Sequence, residues 1–348
     1  MKERQRVCKM KSSNKSIYII TIFIIIILIF GITSEKLFKY IDKNRYKAPG
    51  ELIEINDYKM HIYTFGKGKK TVVFLHGWGN TSPVADFSKI YHYISSDTKI
   101  AVVERAGYGW SSYTKGSRDA DTLAKETHTA LEKISLKPPY IIIGHSLASL
   151  ETIRFMQLYT SEVTGAIILD GGGPEYYLKY PPTVSKFDKI TPFLRKIGLA
   201  RLLFYTTNIE NNLIANGKLF KLPQIKQLPY STQDIYRSMA LRHGANSNMV
   251  NEFRDVQKGI DKIVEDKTQL DIPLIVLTSG NTVKKDIRWE EVQKRMAEDY
   301  SSSGEQKTID GVGHNIHIDV PEKVVENIQI LINDNQSRHN SSYPFKNN

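Results

Sequence analysis

The chain has 348 residues, 41% of them hydrophobic, which is enough to bury the core of one large domain or two small ones. A single cysteine, Cys8, excludes an internal disulfide, and no Cys/His cluster has the spacing of a zinc site. The net charge is +11, but residues 1–47 hold eleven Lys and Arg against three acidic residues, or +8 of that charge. This distribution excludes an extended basic surface for nucleic acid and indicates a basic region beside a membrane segment.

The amino-terminal region has the pattern of a membrane anchor. Residues 1–16 are basic, and residues 17–33 are almost wholly apolar. The apolar stretch approaches the ~20 residues that cross a hydrocarbon core. We therefore predict an uncleaved transmembrane signal anchor, with a cleaved signal peptide and secretion as the alternative. The heavier positive charge before the segment predicts a cytoplasmic tail at residues 1–16 and a main domain outside the cell membrane. Residues 34–50 are predicted to be a stalk.

Beyond the stalk, short apolar runs alternate with stretches of helical spacing. Tyr140–Ile143, for example, is a continuous apolar run, the pattern of a parallel strand buried on both faces. The alternation predicts an α/β chain with a three-layer, mostly parallel sheet over residues 51–173 and 271–334. The regular recurrence of short apolar strands stops over residues 174–270. This change predicts a helical lid inserted after the sixth strand. Residues 335–348 are polar and are predicted to be disordered.

A serine follows the strand at Tyr140–Ile143, in the segment Gly144-His-Ser-Leu-Ala148. A strand, a sharp turn and a helix with a serine at the turn is the geometry of a nucleophile elbow, Gly-x-Ser-x-Gly. Small flanking residues are needed because side chains there would collide with neighbouring backbone. Ala148 stands where the pattern has its second glycine. Taken alone, the segment fits either a nucleophile elbow with Ser146 as the nucleophile or an ordinary strand-to-helix turn, and the rest of the chain favours the elbow.

Four short segments, in order, resemble those of the α/β-hydrolase fold superfamily, and the resemblance covers about residues 50–333. They are Leu75-His-Gly-Trp-Gly79, Glu104-Arg-Ala-Gly-Tyr-Gly-Trp-Ser111, the elbow, and Gly311-Val-Gly-His-Asn315. The resemblance implies the α/β-hydrolase fold with a serine nucleophile. A serine hydroxyl needs a base to remove its proton, and His314 is implied as that base. The backbone N–H groups of Trp78 and Leu147 are implied as the oxyanion hole. We interpret Glu104 and Arg105 as a structural ion pair.

The acid of the implied triad has two candidates. In many relatives it follows the strand that we place at residues 272–278, but this chain has Gly280-Asn-Thr-Val283 there, and Asp286 comes later. Some relatives carry the acid at the end of the preceding strand, where this chain has Asp170. We prefer Asp170 and keep Asp286 as the alternative. Both choices preserve the order Ser, Asp, His.

The sequence therefore predicts a membrane-tethered serine hydrolase that cleaves a carboxylic ester, or an amide, through an acyl-enzyme on Ser146. The resemblance argues against haloalkane dehalogenases and epoxide hydrolases, which carry Asp at the elbow. No cofactor or metal is implied. The predicted partners are a small-molecule substrate and the membrane, through residues 17–33, and the oligomeric state is left open. The alternative is a catalytically inactive binding protein on the same fold, because Ala148 and the displaced acid depart from the pattern.

Overall fold

The computed structural model describes residues 2–68, 70–91, 93–94, 98–183, 186–199, 201–202 and 225–341. In the helical stretches 2–14, 186–189 and 335–341 it describes the backbone alone. Residues 203–224 of the predicted lid and 342–348 of the predicted tail lie outside the described residues.

The strands and helices of the described residues alternate as follows. The strands are β1 (Glu51–Ile55), β2 (Tyr58–Phe65), β3 (Lys70–Leu75), β4 (Thr98–Glu104), β5 (Tyr140–His145), β6 (Val163–Leu169), β7 (Leu274–Ser279) and β8 (Gly304–Ile309). The helices are α1 (Lys2–Arg45), α2 (Pro83–Asp86), α3 (Ser88–Tyr91), α4 (Ala120–Lys133), α5 (Ala148–Leu158), α6 (Pro174–Lys179), α7 (Lys186–Lys196), α8 (Tyr230–His243), α9 (Ser247–Glu265), α10 (Gly280–Lys285), α11 (Arg288–Tyr300), α12 (Ile316–Asp319) and α13 (Pro321–Ser341).

The strands form one sheet in the order β1-β2-β4-β3-β5-β6-β7-β8. Only β2 is antiparallel to its neighbours, β1 and β4, and the other pairs are parallel. Ile142 lies between Val73 of β3 and Ala166 of β6 in this register. The predicted mostly parallel sheet of an α/β fold is therefore confirmed, and the end of β5, where the elbow serine stands, is at its centre.

Both faces of the sheet are covered, which explains the continuous apolar runs. Successive side chains of a strand point to opposite faces. On β5, Ile142 belongs to a core cluster that includes Leu150 and Ile153 of α5, whereas Ile141 and Ile143 belong to a second cluster that includes residues of α13. Helices on both faces give the three predicted layers.

Helix α1 extends beyond the predicted anchor. Residues 15–45 form a helix that is long and apolar enough to cross a membrane. The helix continues through most of the predicted stalk to Arg45, and Pro49 is the first residue after the apolar segment that breaks a helix. At the other end of the chain, α13 continues to Ser341, into the predicted tail.

The described chain divides into two compact units. One comprises the described residues within 1–47 and 186–202, and the other comprises the described residues within 48–183 and 225–341. The residues that we predicted as one lid thus cluster partly with α1 and partly with the sheet. We call the second group the hydrolase unit.

Glu104 and Arg105 do not pair with each other, so that interpretation was wrong. They are adjacent at the end of β4, and adjacent side chains of a strand point to opposite faces. His61 Nδ1 lies 2.9 Å from a carboxylate oxygen of Glu104. Arg105 instead binds Glu151 of α5 at 2.9 Å and Glu252 of α9 at 3.1 Å. All three of these charged side chains are buried.

Helix α9, which falls in the predicted lid, contacts the segment before α4 through its buried Asp255. The carboxylate accepts hydrogen bonds from the Arg118 N–H at 3.0 Å and from Lys258 Nζ at 2.9 Å. Burial alone would raise the pKa of Asp255, but bonds from Arg254, the Arg118 N–H and Lys258 outweigh it and lower the pKa to about 2. The ionised carboxylate is therefore stabilised by folding.

We expect Asp255→Asn to cost about 1–2 kcal/mol of unfolding free energy at pH 7, after allowance for solvent around Arg254 and Lys258. A depressed acid contributes its stability above the ordinary pKa of 3.8 and loses it as the pH falls through about 2. The difference between wild type and variant should therefore shrink below pH 4 in urea titrations. Asp261→Asn, an exposed position on α9, is the control, and we expect a change within about 0.5 kcal/mol. A pH-independent loss in Asp255→Asn would contradict the prediction.

Candidate active site

Ser146 stands at the tip of the turn between β5 and α5. Its φ is +56°, in the left-handed region that is costly for a residue with a Cβ. The strand and helix meet closely at Gly144, where a Cβ would lie 2.1 Å from Thr152 Oγ1 and 2.9 Å from the Ala148 carbonyl oxygen. Ala148 is the first residue of α5 and is itself buried, so its methyl group is accommodated. The turn therefore keeps the elbow geometry without the second glycine.

His314 reaches Ser146 from the loop after β8. Its Nε2 lies 2.9 Å from Ser146 Oγ, although 168 residues separate them in the chain. Two contacts hold the loop: the Gly313 N–H donates to Asp319 at 2.8 Å, and His145 Nε2 lies 3.1 Å from the His314 carbonyl oxygen. The imidazole is 40% exposed, so a substrate can approach it.

Asp170 lies on the other side of the imidazole. His314 Nδ1 is 2.6 Å from one oxygen of this fully buried carboxylate. Asp286, the alternative acid, is partly exposed and pairs with Arg288 at 2.8 Å. The structure thus brings Ser146, His314 and Asp170 together, and it does not bring Asp286 to them.

Four further donors surround the Asp170 carboxylate, and sequence reasoning missed them. They are the Ser279 N–H at 3.0 Å, Thr282 Oγ1 at 2.9 Å, Trp289 Nε1 at 2.7 Å and Gln293 Nε2 at 3.2 Å. Burial alone would raise the pKa of Asp170, but the hydrogen bonds from His314, Trp289 and the Ser279 N–H outweigh it and hold the pKa below 3.8. The carboxylate is therefore kept ionised and fixed in orientation.

Two of these four donors had an indication in the sequence. Ser279 and Thr282 flank the turn after β7, where many relatives place the acid, and here the turn supplies donors instead. Trp289 and Gln293 are four residues apart and so share one face of α11. Nothing local connects that face to a carboxylate more than 100 residues earlier, so the sequence alone did not indicate it.

The backbone beside Ser146 fits an oxyanion hole. A Cβ on Gly77 would lie 3.0 Å from the Ser146 Cβ, so the Gly77–Trp78 loop passes directly alongside Ser146. Leu147 precedes the first turn of α5, where N–H groups carry the positive end of the helix dipole. Within the part of the chain that the structure describes, neither the Trp78 N–H nor the Leu147 N–H donates to a protein acceptor.

The Trp78 side chain fixes its loop. The indole Nε1–H donates to the Met249 carbonyl at 2.8 Å, and the ring stacks on Phe253 with centroids 4.0 Å apart. Both partners belong to α9. The helix therefore holds the loop in place.

The arrangement is chemically matched to acyl transfer. If Nδ1–H of His314 donates to Asp170, the Nε2 lone pair faces the Ser146 hydroxyl and can remove its proton. Among the described residues, no group of three or more His, Cys, Asp or Glu side chains is placed to hold a metal ion.

Comparisons with known proteins bear on the family and the fold of the chain. The model of the Alpha/beta hydrolase family matches residues 72–327. The uncharacterised protein YbdG of Bacillus subtilis (strain 168) is 30% identical over 236 residues, which are 66% of this chain and 69% of YbdG. The solved epoxide hydrolase CorEH is 18% identical, with a TM-score of 0.59 and coverage of 82% of this chain and 98% of its own. Est816, described as an N-acyl homoserine lactone degrading enzyme, is 13% identical, with a TM-score of 0.55 and coverage of 80% and 99%. At such identities the two structures show the fold alone.

Proposed function

The chain belongs to the alpha/beta hydrolase family and is a hydrolase, and from this premise we propose that it is a membrane-tethered serine hydrolase of carboxylic esters. The observation that carries the proposal is the hydrogen-bonded series Ser146, His314, Asp170, with distances of 2.9 and 2.6 Å. Because the chain is a hydrolase, we do not keep the alternative of an inactive binding protein.

Acylation begins when His314 Nε2 takes the proton of Ser146 and the serine oxygen attacks the ester carbonyl carbon. The negative charge that develops on the carbonyl oxygen is stabilised by the N–H groups of Trp78 and Leu147. One such donor lowers the barrier by about 3 kcal/mol in serine hydrolases. Asp170 stabilises the imidazolium, which then gives its proton to the leaving alcohol as the ester bond breaks.

Deacylation repeats these steps with water. His314 removes a proton from water, the hydroxide attacks the acyl carbon on Ser146, and the imidazolium returns the proton to the serine oxygen. The products are a carboxylic acid and an alcohol. An amide would follow the same course with an amine as leaving group, and we expect esters to react faster because an alkoxide leaves more readily.

The names of the fold neighbours bear on the reaction class only indirectly. CorEH is an epoxide hydrolase, but the elbow of this chain carries Ser146 where the resemblance implies Asp for that class. Est816 is described as degrading a lactone, which is a cyclic ester. A serine nucleophile with a histidine base favours ester cleavage over epoxide opening in this chain.

We propose that α1 is the membrane tether. Residues 15–45 are helical and apolar enough to cross a bilayer, and the basic residues before the span favour a cytoplasmic amino end with the hydrolase unit outside.

A fluorophosphonate probe tests the proposal, since it phosphonylates a serine only when a base activates it. We expect labelling of the wild-type chain and none in Ser146→Ala. The matched control is Ser149→Ala at the second residue of α5. The Ser149 hydroxyl donates to the Gly172 carbonyl at 2.6 Å, and the variant should retain labelling. Absence of labelling in a well-folded wild-type chain, or labelling that persists in Ser146→Ala, would refute the mechanism. Esters of graded chain length, run beside aminoacyl amides, then define the substrate.

We expect Trp289→Phe to lower kcat about 10-fold with little change in KM, because it removes one hydrogen bond to the ionised Asp170. The loss also raises the pKa of Asp170, so the stability that this carboxylate contributes should disappear at a higher pH on acidification. Trp110→Phe makes the same change at a ring that packs against His61, and it should leave kcat unchanged. Equal effects of the two substitutions would show that Trp289 acts through packing only.

A further inference from the structure

The unit that contains α1 brings the membrane segment and part of the predicted lid into backbone contact. At Gly31, two residues before the end of the predicted anchor, a Cβ would lie 2.2 Å from the Ile197 carbonyl oxygen. A Cβ on Gly198, whose φ is +77°, would lie 2.6 Å from the Gly31 carbonyl oxygen. Glycine at both positions therefore permits a contact that any side chain would prevent.

Two ion pairs of the buried Arg201 extend this contact along α1. Arg201 Nε lies 2.8 Å from Glu35, and another guanidinium nitrogen lies 3.1 Å from Asp42. The Arg201 guanidinium also lies over the Phe38 ring, 5.3 Å from its centroid. Glu35 and Asp42 follow Gly31 by about one turn and about three turns of helix, so Ile197, Gly198 and Arg201 are fixed beside the end of the predicted anchor.

The geometry of α1 sets the depth of this segment in a bilayer. Glu35 lies about 6 Å beyond Gly31 along the helix axis. Because charged side chains are costly within the hydrocarbon, Glu35 and Arg201 mark the head-group side of the boundary between lipid tails and head groups. Phe193 precedes Ile197 by one turn of α7, and its ring is 57% exposed. Ile190 and Leu202 are also large, apolar and exposed, and Lys196 adds an exposed positive charge.

We propose that the segment Lys186–Leu202 is a membrane-docking element, which inserts Ile190, Phe193 and Leu202 into the bilayer beside α1. The inference rests on the proposed tether. Lipid covers this apolar surface, because Gly31 places Ile197 and Gly198 at the limit of the apolar span. The charge of Lys196 complements anionic head groups there.

The single native cysteine makes a depth measurement direct. In a Cys8→Ser background, cysteine is introduced at Phe193, at Phe30 within the anchor, or at Ile287 on the hydrolase unit, and is labelled with an environment-sensitive fluorophore. Phe30 and Ile287 are 72% and 75% exposed, so the labels should not disturb packing. The full chain is reconstituted in vesicles of phosphatidylcholine and phosphatidylglycerol that contain nitroxide-labelled lipid.

We expect quenching by the nitroxide lipid at position 193 comparable with that at position 30, and none at position 287. Arg201→Gln should reduce quenching at position 193 several-fold and leave position 30 unchanged. Quenching at 30 but not at 193 would overturn the docking element and leave the tether intact. A label at 193 that is shielded from aqueous iodide yet unquenched by the lipid would mean that protein covers the surface, which also overturns the proposal.

Absence of quenching at position 30 would refute the tether itself, and the docking element with it. Fluorophosphonate labelling of Ser146 on the same samples reports the hydrolase separately. Loss of membrane insertion with retained labelling would therefore leave the catalytic proposal standing.

Discussion

Asp170→Asn should lower kcat by about 10⁴-fold while the chain stays folded. The carboxamide cannot accept the His314 Nδ1–H with the strength of a carboxylate, and its NH₂ group favours the imidazole tautomer whose proton sits on Nε2. In that tautomer Nε2 has no lone pair to take the proton of Ser146, from which it is 2.9 Å away. Steady-state hydrolysis of a p-nitrophenyl ester by the reconstituted chain measures the effect.

Asp286→Asn is the matched control, because it makes the same chemical change at the alternative acid. Asp286 pairs with Arg288 at the surface, so we expect a kcat within about twofold of wild type and a stability change below about 1 kcal/mol. If Asp286→Asn abolished turnover and Asp170→Asn did not, the assignment of the acid would be reversed.

Arg105→Leu should destabilise the hydrolase unit by about 3–5 kcal/mol, since removal of one partner leaves the Glu151 and Glu252 carboxylates buried without their cation. Hydrogen bonds from Thr127 to Glu151 and from Tyr108 to Glu252, each 2.8 Å, remain but do not neutralise the charge. Urea unfolding followed by tryptophan fluorescence measures the loss. All three tryptophans, Trp78, Trp110 and Trp289, belong to the hydrolase unit, so the signal reports that unit alone.

Arg288→Leu is the control for Arg105→Leu, because Arg288 is 69% exposed and its ion pair with Asp286 lies in solvent. We expect it to cost less than about 1 kcal/mol. Burial already raises the pKa of Glu151 in the wild-type chain. An acid with a raised pKa destabilises the folded state as the pH rises above its ordinary value of 4.5, so the loss in Arg105→Leu should shrink on acidification towards pH 4. Equal losses in the two variants would contradict the assigned role of Arg105.

The sequence predicted the parts of the molecule that depend on local pattern. The isoleucines of β5 could be recognised as a buried strand because both faces of the sheet are covered. Gly144 could be recognised as a turn residue because α5 packs too closely there for a side chain. Helix α1 runs through most of the predicted stalk, because nothing in that polar stretch breaks a helix before Pro49.

What the sequence could not supply depends on contacts between distant segments. Arg105 was assigned to its neighbour Glu104, whereas its partners come from α5 and α9. The predicted lid was treated as one block, but its described residues between 186 and 202 cluster with α1. Asp170 and Asp286 stayed open as alternatives because the distance of each from His314 depends on where two strands end in space.

The β6–β7 pair gives a reason why the acid can occupy different places along the chain. Leu169 pairs with Leu277, and the Asp170 N–H donates to the Leu277 carbonyl at 2.8 Å. The two strand ends are therefore neighbours, and a carboxylate on either can approach the same imidazole. The reaction requires only that a carboxylate lies beside the imidazole. The acid can therefore move from the end of one strand to the end of its neighbour during evolution. An alignment that requires the acid after β7 would score this chain as lacking an acid, whereas a search by side-chain geometry would find the hydrogen-bonded arrangement of Ser146, His314 and Asp170.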